Sequence, residues 1–203
     1  MNLHPRDHAG ERFNGGWRCV RWTRRLPLFI VVCGLVVTGS LRADALNENS
    51  VEYRVKLAFI YSFTKFVEWP SSAYRNSDAP ISICIVGNDP FNPDLEDELR
   101  TRKVGSHPVE VTRLRLGEAI GKCQIVFIPL TAKHQAASIV KGLTGSSAFT
   151  VGETEGFAMR GGIINFAVEG NKLHLEINPL AAERAGLKIS SKLLNIATVV
   201  KER

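Results

Sequence analysis

Residues 156–194, GFAMRGGIINFAVEGNKLHLEINPLAAERAGLKISSKLL, leave the fewest options for how they fold, and they constrain what surrounds them. Two runs of strict alternation flank a short turn: Ile164, Phe166 and Val168, then Leu173, Leu175 and Ile177. A period of two is the pattern of a half-buried strand. A four-residue turn, Glu169-Gly170-Asn171-Lys172, sets Val168 against Leu173, Phe166 against Leu175 and Ile164 against Ile177. All six large apolar side chains then share one side of a hairpin. The other side mixes Ile163, Asn165 and Ala167 with His174, Glu176 and Asn178, a face that water wets or a helix covers. Asn178-Pro179 reads as an N-cap with proline at the first helical position, and Gly186 as the stop signal. Ser190 or Ser191 opens a terminal helix expected to run through Val200.

Upstream, four short apolar runs read as strands: residues 81–86, 109–114, 123–130 and 148–151. Helices are expected at 92–100, after Asn92-Pro93, and at 132–143. Strands alternating with helices imply a parallel sheet covered on both faces. The expected fold is therefore three-layer α/β, a flavodoxin-like, mostly parallel sheet with an antiparallel C-terminal hairpin and a terminal helix.

Before the first strand, Ser50 caps a helix in which Val51, Val55, Ala58, Phe59, Ser62, Phe63 and Phe66 follow helical spacing. Leu57, Ile60, Tyr61 and Val67 widen the stripe, and Trp69-Pro70 ends it. Two readings fit: a helix buried against the sheet, or one whose flank of Phe59, Tyr61, Phe63, Phe66 and Trp69 docks on a partner or a second copy. A homodimer is consistent with the second.

Residues 1–45 read as a secretory signal peptide. Arg18, Arg21, Arg24 and Arg25 precede the apolar run LPLFIVVCGLVV, and a small-residue site, Ala43-Asp44-Ala45, follows. The apolar core is too short for a permanent membrane span. Cleavage is expected after Ala45, leaving one exported domain at 46–203. The formal charge of +6 lies mostly in that leader, which holds seven Arg and three acids. The remainder carries 19 Lys and Arg against 17 acids, too even for a phosphate-tracking stripe, so no nucleic-acid partner is expected.

Cofactor chemistry finds little support. The loop after the first strand, Gly87-Asn88-Asp89-Pro90-Phe91, has no glycine-rich phosphate pattern, and the acids after it, Asp94, Glu96, Asp97 and Glu98, would repel a phosphate. A phospho-acceptor would need an acid where the third strand ends in Ile128-Pro129-Leu130. His107, His134 and His174 lack metal-ligand spacing, and Ser190 and Ser191 read as caps rather than nucleophiles. No enzyme, metal or cofactor is expected.

The segments YRVKLAFIYSFTKFVEWP (residues 53–70), GG-x-INF (161–166), EIN (176–178) and AAERAGLKISSKLL (181–194) resemble the YfiR family. That resemblance implies a periplasmic α/β protein that restrains a membrane-bound diguanylate cyclase by binding its periplasmic part. The cysteines Cys84 and Cys123 fall on neighbouring strands of the expected order. Two readings fit them: a disulfide, which export favours, or two buried thiols. The resemblance supports the disulfide, since YfiR-like proteins carry a cysteine pair on these strands. A second pair found in some members is absent here. The alternative function is a periplasmic small-molecule-binding module feeding a sensor or uptake system, with Asn165, Asn178, Arg184, Ser190 and Lys192 as candidate binding groups.

Overall fold

In the computed structural model, which describes residues 51–91, 97, 99–170 and 172–202, a long apolar helix lies across one face of a mixed sheet. In chain order the elements are α1 (residues 51–66), β1 (Val67–Glu68), β2 (Ile81–Val86), β3 (Lys103–Val104), β4 (His107–Leu114), β5 (Ile125–Ile128), α2 (Ala136–Gly142) and β6 (Phe149–Gly152). There follow β7 (Ile164–Glu169), β8 (Lys172–Ile177), α3 (Pro179–Arg184), β9 (Lys188–Ile189), α4 (Ser191–Ile196) and β10 (Thr198–Val199). The expected Ser50 cap, the expected signal peptide and most of the helix expected at 92–100 lie outside the described residues.

The large sheet runs in the order β10-β8-β7-β6-β5-β2-β4-β3. Its parallel centre, β4-β2-β5-β6-β7, is the flavodoxin-type order, in which the chain starts in the middle and reverses direction once. β8 pairs antiparallel with β7 in the register the alternation dictates, Val168 to Leu173, Phe166 to Leu175 and Ile164 to Ile177.

The period of two sorts the strands between two cores. Ile83, Ile85, Ile125, Phe127, Phe149, Val151 and Phe166 face α1, while Val86, Val126 and Ile128 face Ala132, Ala136 and Phe157 on the other side. Aromatic rings fill the α1 side: Phe63 lies 5.5 Å from Phe149 and 6.2 Å from Phe166. The helix is rotated relative to its most regular stripe. Leu57, Ile60 and Phe63 point inward, whereas Val51 and Val55 are 52% and 41% exposed. Both flanks of α1 are apolar, so spacing alone does not choose between them.

Several bounds differ from expectation. The terminal helix ends at Ile196, and Thr198 and Val199 extend as β10 beside β8 instead. α1 gives way to β1 before Trp69; β1 pairs with β9, and Ser190 N–H donates to Phe66 O at 2.9 Å. The segment expected to be helical from 132 starts with a 3-10 turn, and α2 proper begins at Ala136. The second long strand, β4, opens with a small hairpin in which β3 pairs antiparallel with its first residues.

Cys84 and Cys123 form a disulfide with Cα atoms 6.0 Å apart, closing a separation of 39 residues. Cross-links of that span stabilise by about 4 kcal/mol on chain-entropy grounds.

The Gly161-Gly162 pair has two separate causes. Gly161 takes φ 93°, a left-handed conformation costly for a side chain. Gly162 lies against the buried Phe157 ring, where an added Cβ would meet ring carbons at 2.1 Å. Gly162→Ala is expected to destabilise the protein by about 1–3 kcal/mol. Gly121→Ala, with nothing within 4 Å, should stay within about 0.5 kcal/mol of the parent. Urea unfolding of both variants measures the difference.

Candidate functional site

Open α/β sheets bind ligands beyond the carboxyl ends of their strands, where the order reverses, here between β2 and β5. In this chain its own side chains fill that place. Phe91 packs on Phe127 with ring centroids 5.1 Å apart and meets Tyr53 edge-on at 5.7 Å. Asp89 is already used: it accepts from Phe91 N–H at 2.8 Å and pairs with Arg113 Nε at 2.7 Å.

Beside them lies a buried charged cluster. Glu153, the residue after β6, accepts from Leu130 N–H at 2.6 Å, from Tyr53 OH at 3.1 Å and from Lys56 Nζ at 2.5 Å. The Lys56 and Glu153 side chains are only 4% and 3% exposed. Glu52, one turn earlier on α1, pairs with Lys56 from the solvent side at 2.5 Å. Three elements therefore converge on one carboxylate: α1, the turn after β5 and the end of β6. Neither partner is apparent as such in sequence, since Lys56 lies 97 residues from Glu153. The available signal is a lysine set inside the apolar run Val55-Lys56-Leu57.

The aromatic residues expected to form a partner surface divide. Phe63 is fully buried between α1 and the sheet, and Tyr61 is nearly so, its ring forming part of the wall of a groove beside α1. Phe59, Phe66 and Trp69 are partly buried at its edge, and Trp69 Nε1 donates to Gln124 O at 3.1 Å. What α1 exposes is Val51, Val55 and Ala58 together with the charged Arg54 and Lys65. Next to them runs a groove of about 380 Å³ with Arg54, Lys65 and Arg102 around Tyr61. Lys65 Nζ and Arg102 Cζ lie 4.7 and 5.0 Å from the Tyr61 ring centre.

The five candidate ligand groups are not brought together. Asn178 is fully buried: its Oδ1 accepts from Ala181 N–H as the α3 cap, and its Nδ2 donates to Ala158 O. Asn165 is 1% exposed and donates to Glu176 at 2.7 Å, while its Oδ1 has no partner among the described residues. Ser190 caps α4, and Lys192 is exposed. Arg184 pairs with Glu202 and alone of the five lines the cavity beside α3. Among the described residues, no group of three or more His, Cys, Asp or Glu side chains is placed to hold a metal, and no helix is long and apolar enough to cross a membrane.

This is a three-layer α/β domain in which, among the described residues, Tyr53, Phe91 and Phe127 pack together at the strand ends. The chain belongs to the YfiR/HmsC-like family, whose model matches residues 53–198. No curated protein matches it. A solved structure of a conserved domain protein from Vibrio cholerae is similar at 16% identity and a TM-score of 0.45, covering 60% of this chain and 55% of that one.

Burial, then the charge and hydrogen bond of Glu153, push the Tyr53 phenol above its ordinary value of about 10. The folded state thus favours the protonated phenol. Its contribution is complete below about pH 10 and lost as pH rises toward the folded-state value. Tyr53→Phe should therefore lose less stability than the parent between about pH 8 and about pH 11. Denaturant unfolding at both pH values measures this, and equal losses would exclude the effect.

Proposed function

We propose that this protein is a non-catalytic periplasmic regulator that binds and restrains a membrane-anchored signalling protein, a diguanylate cyclase being the expected target. The observation that carries this reading is the YfiR/HmsC-like match over residues 53–198, a family whose best-known members act in this way. The packing of Tyr53, Phe91 and Phe127 at the strand ends supports it, because these rings take up room that a ligand there would use. The secretory leader expected at residues 1–45, with cleavage after Ala45 and a single domain at 46–203, puts the chain in the compartment where such a partner exposes its periplasmic part.

The outward side of α1, with Val51, Val55 and partly exposed Phe59, is the proposed docking face, and the same face would serve a homodimer. Restraint requires that the regulator bind the inactive conformation of its target more tightly than the active one.

Two readouts test the proposal together. Deleting the gene should raise cellular cyclic-di-GMP, and the mature protein should capture a membrane cyclase from solubilised membranes through that cyclase's periplasmic part. Val55→Asp should abolish capture while leaving the fold intact, since Val55 is exposed. Unchanged cyclic-di-GMP, with no cyclase captured by folded protein, would refute the reading.

A further inference from the structure

The hollow on the α2 side of the sheet is built differently from the filled crevice. It measures about 280 Å³ and lies between the C-terminal end of α2, the Gly161 turn and α3. Buried Ala148, Ile163 and Ala181 form its floor. Among the described residues, Lys141, Arg160 and Arg184 stand around its exposed rim, with one carboxylate, Glu202. Arg160 is held in place by donating to Glu155 O at 2.5 Å. Glu202 pairs with Arg184 and reaches over Gly161, where an added Cβ would lie 3.5 Å from Glu202 Oε1.

We propose that this hollow is a binding site for a small organic carboxylate with an apolar body, and that Glu202 is its internal stand-in. The charge balance selects an anion, because among the described residues three cations surround one carboxylate. A planar guanidinium is the usual partner of a carboxylate group, and Arg184 already holds one. The apolar floor selects a ligand with hydrocarbon to bury. The volume falls just below the range of drug-sized pockets, roughly 300–1,000 Å³, and so limits the ligand to a small molecule.

Glu202 is suited to leave. The Arg184 and Glu202 side chains are 56% and 38% exposed, and ion pairs of that kind contribute only about 0–1 kcal/mol. The segment that carries Glu202 is fastened to the sheet by the two-residue β10 and by Val200 N–H donating to Ile177 O at 2.8 Å. A bound carboxylate that displaces Glu202 therefore frees the stretch next to the β10 edge of the sheet. Ligand occupancy is thereby coupled to one boundary of the domain.

The test is calorimetric titration of the whole mature protein with benzoate as the probe, and with methyl benzoate and inorganic phosphate as comparisons. Glu202→Gln removes the internal competitor and should tighten benzoate binding roughly two- to five-fold. Arg184→Gln should weaken it about ten-fold or more. Both side chains are exposed, so neither variant should alter the unfolding midpoint enough to confuse the result. The proposal is overturned if Glu202→Gln protein shows no saturable benzoate binding, or if Arg184→Gln binds as tightly as the parent. It is equally overturned if methyl benzoate or phosphate binds as well as benzoate. None of these outcomes depends on whether a membrane cyclase is the partner.

Discussion

The Lys56–Glu153 ion pair is the contact on which the arrangement of this domain turns. It takes two charges almost completely out of water, which costs several kcal/mol per ion unless each finds its partners. Glu153 recovers that cost through three donors, and Lys56 through two carboxylates and the face of Tyr53, 4.6 Å from its ring centre. The outcome is positional. α1 is fixed along its axis relative to β5 and β6, and its aromatic residues meet the sheet in one register. Apolar contact alone is non-directional and would tolerate a helix displaced by a turn.

That fixing has a functional consequence. Among the described residues, Phe91, Tyr53 and Glu153 occupy the ends of the strands, where this sheet order places a ligand. In the proposed reading, recognition falls to the outward side of α1 and the rim of the hollow by α3. The two lie on different elements, so a partner at one and a small molecule at the other would meet the same rigid sheet. The disulfide strengthens that rigidity by joining the first central strand to the entry of β5.

Legibility in the sequence followed the length scale of each interaction. The β7–β8 register was readable because six alternating apolar residues allow one pairing, and a shift by one would turn Phe166 to the opposite face. Asn178 was readable as a cap because Asn-Pro is a local signal, although its second bond, to Ala158, was not. The strand order followed from alternation of strands with helices. The two-residue strands β1, β3, β9 and β10 were missed, since two residues carry no period. The facing of α1 was not legible, because apolar residues cover both of its flanks. Glu153 was invisible because its partners lie 23, 97 and 100 residues away. Lys141, Arg160 and Glu202 carry no local signal in the sequence, since only the folded chain sets them around one hollow.

The central claim is that a buried, fully partnered ion pair locks α1 to the strand ends, and one comparison tests it most directly. Removing one partner of such a pair leaves an uncompensated buried charge, whereas replacing both with apolar residues does not. The stability of Glu153→Ala should therefore fall by about 3–5 kcal/mol in denaturant unfolding, while the Lys56→Met/Glu153→Leu double variant should lose much less. A Glu153→Ala loss of under about 1 kcal/mol, the size expected of a solvent-exposed pair, would contradict the account.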